Sequence, residues 1–220
     1  MKYLDYNGEN NQFSRVTFAS ELESVPVVTI KQFLLEQERN IIFDSLCQNS
    51  SLFSGRPNNI EPCSFAFSIE SKNGQKLMND SISSVYRCLS ERIKARLPEI
   101  MSILNVEPFT VGELPLTFMN GFSGHYSLPH TDECGGRYRL SFLYYLHRNP
   151  KVFSGGDLEF YRNNSMNNLG HDELPFTRVE HQDNLLVVFP SKTFHGVTKV
   201  VCSSKNFRDG RFAAAGFIGP

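Results

Sequence analysis

The sequence predicts an α+β fold that is mainly β, with a layer of N-terminal helices laid on a C-terminal sandwich or barrel of antiparallel strands. Three observations predict it. From about residue 106 onward, short apolar runs follow one another between polar or glycine-bearing turns, the pattern of antiparallel β architectures. Before that point Ile82, Val85, Leu89, Ile93 and Leu97 repeat at helical spacing. Finally, 19 Phe and 8 Tyr with no Trp favour strands around a packed aromatic core.

Taken in order, "VPVVTIKQFL" (25–34) reads as a short strand running into a helix over about 35–48, where Leu35, Ile41, Ile42 and Leu46 form an apolar stripe. "CSFAFSIE" (63–70) alternates and reads as a strand. A second helix covers 79–97, with Asp80 or Ser81 as its cap and Pro98 ending or interrupting it. The strands then follow as "FTVGELPLTFM", "RYRLSFLYYL", "DLEFY", "FTRVEHQDNLLVVF", "GVTKVV" and "RFAAAGFIG". A length of 220 residues suits one domain. Residues 1–105 are read as its support and 106–220 as its core.

The charge balance of 22 basic against 23 acidic residues, without a dense basic tract, predicts no nucleic-acid partner. No apolar run is long enough to span a bilayer, and "MKYLDYNGEN" lacks the core of a secretion signal. Five widely spaced Cys suggest neither a disulfide framework nor a CxxC metal site, and fit a cytoplasmic location. The oligomeric state is left open.

The chemistry concentrates in "GHYSLPHTDECGGRYRLSFLYYL" (124–146). His130 and Asp132 stand two apart at the mouth of an apolar strand. They are either the polar trim of a turn or two ligands of one ion, since strand residues i and i+2 point the same way. Two His and one carboxylate on one face, with the opposite face open, suit Fe(II). A distant strand must supply the third ligand, and His195 in "FPSKTFHGVTKV" is the candidate. His181 and Asp183 repeat the spacing, but Asp183-Asn184 reads as the turn before "LLVVF". His171 reads as a loop residue and His147 as a strand end. His125 is expected to face away from any site that Tyr126 faces. Gly155-Gly156, Ser191 and Thr193 read as turn residues, and Arg137 and Arg139 as rim charges.

From about Leu116 to Phe217 these segments resemble the 2-oxoglutarate-dependent non-haem Fe(II) oxygenases, in the prolyl 4-hydroxylase-like branch. "GHYSLPHTD", "RYRLSFLYYLH", "FSGGDLEFY", "NLLVVFPSKTFHGVTKV" and "GRFAAAGFIG" are similar to five of that family's elements in the same order. The resemblance implies a double-stranded β-helix, or jelly-roll, with His130, Asp132 and His195 as iron ligands. It also implies Arg211 on the far carboxylate of 2-oxoglutarate, with Tyr145 and Tyr126 beside the co-substrate. The basic residue of the family usually follows the distal His more closely. Lys205 fits that count better, but Arg211 opens an apolar strand and is preferred. Residues 202–210 then form an inserted loop, expected over the site, and Asn120 stands where the family often carries a Tyr.

The implied activity is an O2-dependent hydroxylation giving succinate and CO2, with Fe(II) and 2-oxoglutarate required and ascorbate as a candidate reductant. The implied substrate is an amino-acid residue, proline first, free or within a peptide or protein. Asp132 favours hydroxylation, because related halogenases carry a small residue there. The alternatives are a divalent-metal hydrolase or isomerase on a cupin-like barrel, and a binding module without activity. Specificity is assigned to the loops 48–62, 71–78, 163–175 and 202–210.

Overall fold

A computed structural model describes residues 5–6, 13–16, 26–56, 64–69 and 79–220. The first half contributes β1 (Asp5–Tyr6), β2 (Phe13–Val16), β3 (Val27–Lys31), α1 (Glu36–Gln48), β4 (Ser54–Arg56), β5 (Ser64–Ile69) and α2 (Asp80–Leu104). Then follow β6 (Leu116–Gly121), β7 (Ser127–His130), β8 (Leu140–Leu146), β9 (Phe153–Ser154), β10 (Leu158–Tyr161), β11 (Asn163–Asn164) and β12 (Gly170–His171). The chain closes with β13 (Thr177–Val179), β14 (Leu185–Pro190), β15 (Phe194–Val197), β16 (Val201–Cys202) and β17 (Arg211–Ile218).

Nine strands form an antiparallel major sheet in the order β1-β2-β3-β14-β8-β17-β6-β5-β4, and four form a minor sheet, β13-β10-β15-β7. Two sheets of this kind facing one another make the jelly-roll the sequence implies. The first half does more than supply helices, because five of the nine major-sheet strands come from it.

The core has two layers, and single strands serve both. Every residue of β8 is buried, so alternation alone sorts its side chains. Phe142, Tyr144 and Leu146 join the helices in one apolar cluster, with Phe118, Leu186, Val188 and Phe212. Leu143 and Tyr145 face the minor sheet in the other, with Met119, Leu158, Phe160, Val187 and Ala213. The helix side is sealed by the buried stripe of α2, including Ile82, Val85, Leu89 and Ile93.

Three sequence expectations change here. Pro98 does not end α2, which continues to Leu104. An interior proline removes a backbone hydrogen bond and costs about 3 kcal/mol, but Leu97, Ile100, Met101 and Leu104 bury around it and offset the cost. The helix stops instead at Asn105, left-handed at φ 54°, whose N–H reaches the Met101 and Ser102 carbonyls. Its cap is Asn79, not Asp80 or Ser81, and the Asn79 side chain accepts from the Ile82 N–H. On α1, Leu35 and Ile41 point to solvent, and the packed face is Arg39, Ile42, Phe43 and Leu46.

Arg39 ties α1 to the barrel. Its Nε and Nη2 donate to Asp183 Oδ1 at 3.1 and 2.8 Å, and that carboxylate also accepts from the His147 N–H. Asn184, at φ 57°, accepts from Leu34 N–H and the Tyr144 hydroxyl through Oδ1. Asp183-Asn184 is thus a turn, as expected from the sequence. Among the described residues no helix is long and apolar enough to cross a membrane. Part of the 48–62 loop, all of 71–78 and Cys63 lie outside the described residues.

Candidate metal centre

His130 ends β7 and His195 lies in β15, directly opposite it in the antiparallel register. Asp132 follows two residues after the strand, where its N–H donates to the Ser191 carbonyl at 2.9 Å. Ser191 N–H in turn donates to Arg139 O, so the turn that carries Ser191 fixes Asp132 against β15. The result brings together the three side chains chosen from the sequence. One ligand atom from each of His130, Asp132 and His195 lies within 4.8 Å of the others. Asp132 Oδ1 is 3.7 Å from His130 Nε2, and Oδ2 is 3.4 Å from His195 Nε2.

The backbone sets the tautomers. His130 Nδ1 donates to Leu128 O at 2.7 Å and His195 Nδ1 donates to Thr193 O at 2.9 Å. A carbonyl can only accept, so each Nδ1 carries the proton and each Nε2 presents a lone pair toward Asp132. Burial pushes His195 down to about 4, against the opposing pull of Asp132, so its ring is neutral and ready to ligate at neutral pH. The trio is sealed on one side only. The His195 side chain is 7 % exposed but that of His130 is 31 %, which leaves the open face that further ligands need.

On the barrel side of the major sheet, the face shared with Met119 and Ala213, lies a buried cation. Arg211 opens β17 and is 0 % exposed. Its Nε donates to the Gly156 carbonyl at 2.7 Å, and its guanidinium lies 5.2 Å from the Tyr145 ring centre. Burial lifts the Tyr145 hydroxyl to about 12, although Arg211 pulls the other way. His181 lies tilted against Tyr145 with ring centres 4.4 Å apart and donates from Nε2 to Phe212 O at 3.0 Å. His125 is also buried here. Burial and the charge of Arg211 press it down to about 3.

Several side chains fall differently from their sequence readings. Lys205 is exposed, which leaves Arg211 as the interior cation. Tyr126 is only half-buried. His125, expected to face away, is the buried one of that pair. Asn120 does not face the pocket. It alternates with Met119 and Gly121 and donates from Nδ2 to Phe207 O at 2.8 Å on the helix side. Phe207 and Arg208 of the 202–210 stretch pack on that side too. Phe207 meets Phe53 and Phe212 edge to face, and Arg208 pairs with Asp44 at 2.7 Å. Two Phe in the helix-side layer draw this loop away from the metal trio.

Sequence reading gave Gly156 and Ser191 only as turn residues, set His181 aside as part of a turn pair, and expected His125 to face away. Gly156 has φ 76°, and a β-carbon there would lie 2.4 Å from Arg211 Cδ. It is therefore a seat for the arginine as well as a turn residue. Its signal was the glycine doublet, and nothing local revealed what would lean on it.

Comparison with known proteins bears on the family and the fold. The sequence model of the 2OG-Fe(II) oxygenase superfamily matches residues 116–219. An uncharacterized PKHD-type hydroxylase of Synechocystis sp. is 33% identical over 145 residues, 64% of this chain and 48% of that protein. The match thus spans about half the length of that curated relative. Among solved structures, a Pseudomonas putida prolyl-4-hydroxylase aligns at TM-score 0.57 and 15% identity, over 88% of this chain and 91% of that one. A Trichoplax adhaerens prolyl hydroxylase, in complex with a hypoxia inducible factor peptide fragment, aligns at TM-score 0.58 and 18% identity, over 88% and 83%. At such identities these structures speak for the fold alone.

Proposed function

From the match of residues 116–219 to the sequence model of the 2OG-Fe(II) oxygenase superfamily and the 33% identity to a PKHD-type hydroxylase, we propose that this chain is a 2-oxoglutarate- and O2-dependent hydroxylase of the prolyl 4-hydroxylase-like branch. The observation that carries the reading is the pairing of a His-Asp-His trio with a fully buried guanidinium inside one barrel.

The donor set fits the cofactors. Two imidazoles and one carboxylate suit Fe(II) and leave coordination positions free. One carboxylate leaves the site cationic enough for a dianionic acid. A planar guanidinium stays charged when buried and offers two parallel hydrogen bonds to a carboxylate. A divalent-metal hydrolase would have no use for that cation, which favours the oxygenase over a cupin-like hydrolase or isomerase.

When bound, iron and keto acid supply the oxidation of a C–H bond by O2, with succinate and CO2 released. The protein's share is placement. His130, Asp132 and His195 would hold the metal on one face. Their Nδ1–H bonds to Leu128 and Thr193 carbonyls keep the Nε2 lone pairs aimed. Arg211, with Tyr145 beside it, would hold the far end of the keto acid. Phe189, edge-on to His195 at 4.7 Å, and Leu158, Phe160 and Val187 keep water from the barrel interior.

We assign the substrate to amino-acid residues, prolyl first, free or in a peptide or protein. The peptide held by the Trichoplax enzyme supports this choice. The reading takes the whole of 1–220 as one unit, with ascorbate as reductant. It places the protein in the cytoplasm, in keeping with free thiols at Cys47, Cys88, Cys134 and Cys202. The test is anaerobic addition of Fe(II) and 2-oxoglutarate. A weak visible absorption band should form in the wild type and be absent in His130→Ala. Succinate release with candidate amino acids and peptides then identifies the substrate. Absence of the band in the wild type, with hydrolytic turnover on Zn(II) alone, would overturn the reading.

A further inference from the structure

We propose that His125 is a further binding residue for the far carboxylate of the keto acid, acting beside Arg211 and Tyr145. The inference rests on the oxygenase reading and names a group that neither the motifs nor the comparisons assign.

The placement follows from the sheet. Arg211 of β17 and Gly121 of β6 are direct partners in the ladder. Partners in register project to the same face, and for these two it is the barrel interior, where Met119 and Ala213 also point. Gly121 has no side chain, and the imidazole of His125 occupies the vacated space. A β-carbon at Gly121 would lie 2.1 Å from His125 Nδ1. The chain holds the ring there through two backbone bonds, His125 N–H to Phe122 O and Val200 N–H to His125 O. Val200 also lines the seat of Arg211, since a β-carbon at Gly156 would meet Val200 Cγ2 as well as Arg211 Cδ. The imidazole and the guanidinium are therefore neighbours on one wall.

His125 is 1 % exposed, yet among the described residues neither of its ring nitrogens has a hydrogen-bond partner. Buried polar atoms without partners are rare and costly. A neutral imidazole always carries one N–H, and the charge of the neighbouring arginine favours an anion between them. A carboxylate oxygen satisfies both demands. His181 shares the pocket but cannot play this part. Its Nε2 proton is committed to Phe212 O, so its Nδ1 is a bare acceptor that would repel a carboxylate. Among these two buried imidazoles only His125 keeps an uncommitted proton. It also fills a gap in the resemblance. Asn120, which holds the position where the family often has a Tyr, lies on the other face of the sheet, where it donates to Phe207 O.

The test uses the full chain loaded with Mn(II) and calorimetric titration with 2-oxoglutarate. A second titration uses pyruvate, which has the same keto-acid head but no far carboxylate. In His125→Phe the dissociation constant for 2-oxoglutarate should rise ~10- to 100-fold, the range for a hydrogen bond to a charged group. Pyruvate and Mn(II) affinities should stay as in the wild type. His125→Gln, which restores a donor, should recover most of the loss. Should the Phe variant not fold, His125→Leu takes its place with the same expectation. Equal weakening of both keto acids would make His125 a packing residue, and unchanged 2-oxoglutarate binding would remove it from the site. Both results overturn the assignment while leaving the oxygenase reading intact. A wild type that binds neither acid overturns both.

Discussion

The two faces of the major sheet are built from the same strands and bury different things. The helix side is dry and apolar, with Leu89, Ile93, Phe118, Phe142 and Leu186 all at 1 % exposure or less. Its polar groups are few, and the charged ones are paired at its margin, as in the Arg39–Asp183 clamp. The barrel side is apolar at mid-sheet, around Leu143, Leu158 and Phe160, but one end carries the His-Asp-His trio and its depth carries Arg211, Tyr145, His125 and His181. Such burial costs stability unless each polar group finds a partner. The difference teaches that one face is arranged to hold the fold and, on the proposed reading, the other to receive a charged guest. Substitutions should therefore separate cleanly into losses of stability and losses of binding.

The largest effect is expected at the trio. Asp132→Ala removes the only carboxylate of the set. Loss of an outer-sphere partner alone typically costs 10–100-fold in metal affinity, so loss of a ligand should exceed about 100-fold and abolish succinate formation. Metal titration of the variant checks it. A variant that binds Fe(II) like the wild type would break the division of the two faces.

On the opposite face, Leu89→Ala in α2 should cost about 2–5 kcal/mol of unfolding free energy, the usual range for a fully buried leucine. Below its melting transition the variant should keep the wild-type affinities for metal and 2-oxoglutarate. Urea unfolding read beside calorimetry measures both. A shift in 2-oxoglutarate affinity would show that the helix layer tunes the pocket through the sheet.

Gly156→Ala sharpens the boundary between the two kinds of effect. The new β-carbon would press on Arg211 at 2.4 Å, at a backbone φ of 76° that L-residues resist. The arginine must shift, and the KM for 2-oxoglutarate should rise about tenfold, a displacement worth ~1.4 kcal/mol. Metal affinity should hold. Equal losses in both would mean that the turn collapses and the glycine serves only the fold.

What was legible in the sequence follows the same division. The strands after residue 106, and the trio His130, Asp132 and His195, could be read because their signals are periodic or closely spaced. Arg211 could be read because it opens an apolar strand. Pro98 misled because tertiary burial of Ile100, Met101 and Leu104 outweighed a local rule. His125 and Gly156 could not be read, since their roles arise from a strand pairing between positions 121 and 211 that no local pattern records. The 202–210 loop was misplaced because Phe207 looks like any loop aromatic until Phe53 and Phe212 are seen to receive it.

The smallest effect concerns pH, and it separates the buried histidines from the rest of the fold. His125 is pressed down to about 3 and His181 also lies well below the ordinary value, burial being the larger cause for both and Arg211 the second. In the unfolded chain each would titrate near 6.5. The unfolded state therefore binds more protons than the native state below that value, and stability rises with pH in this window. The contribution is fully present above about pH 6.5 and is lost as pH falls toward 3. Each such group adds up to about 1.4 kcal/mol per pH unit to the slope. His125→Phe removes one of them. Urea unfolding of metal-free wild type and variant between pH 7 and 5 should give a flatter line for the variant, by up to that amount. Parallel lines would mean that the His125 imidazole already takes up a proton in the folded barrel. It would then be a second cation beside Arg211, and the polar depth of the barrel side would hold more positive charge than its guanidinium alone.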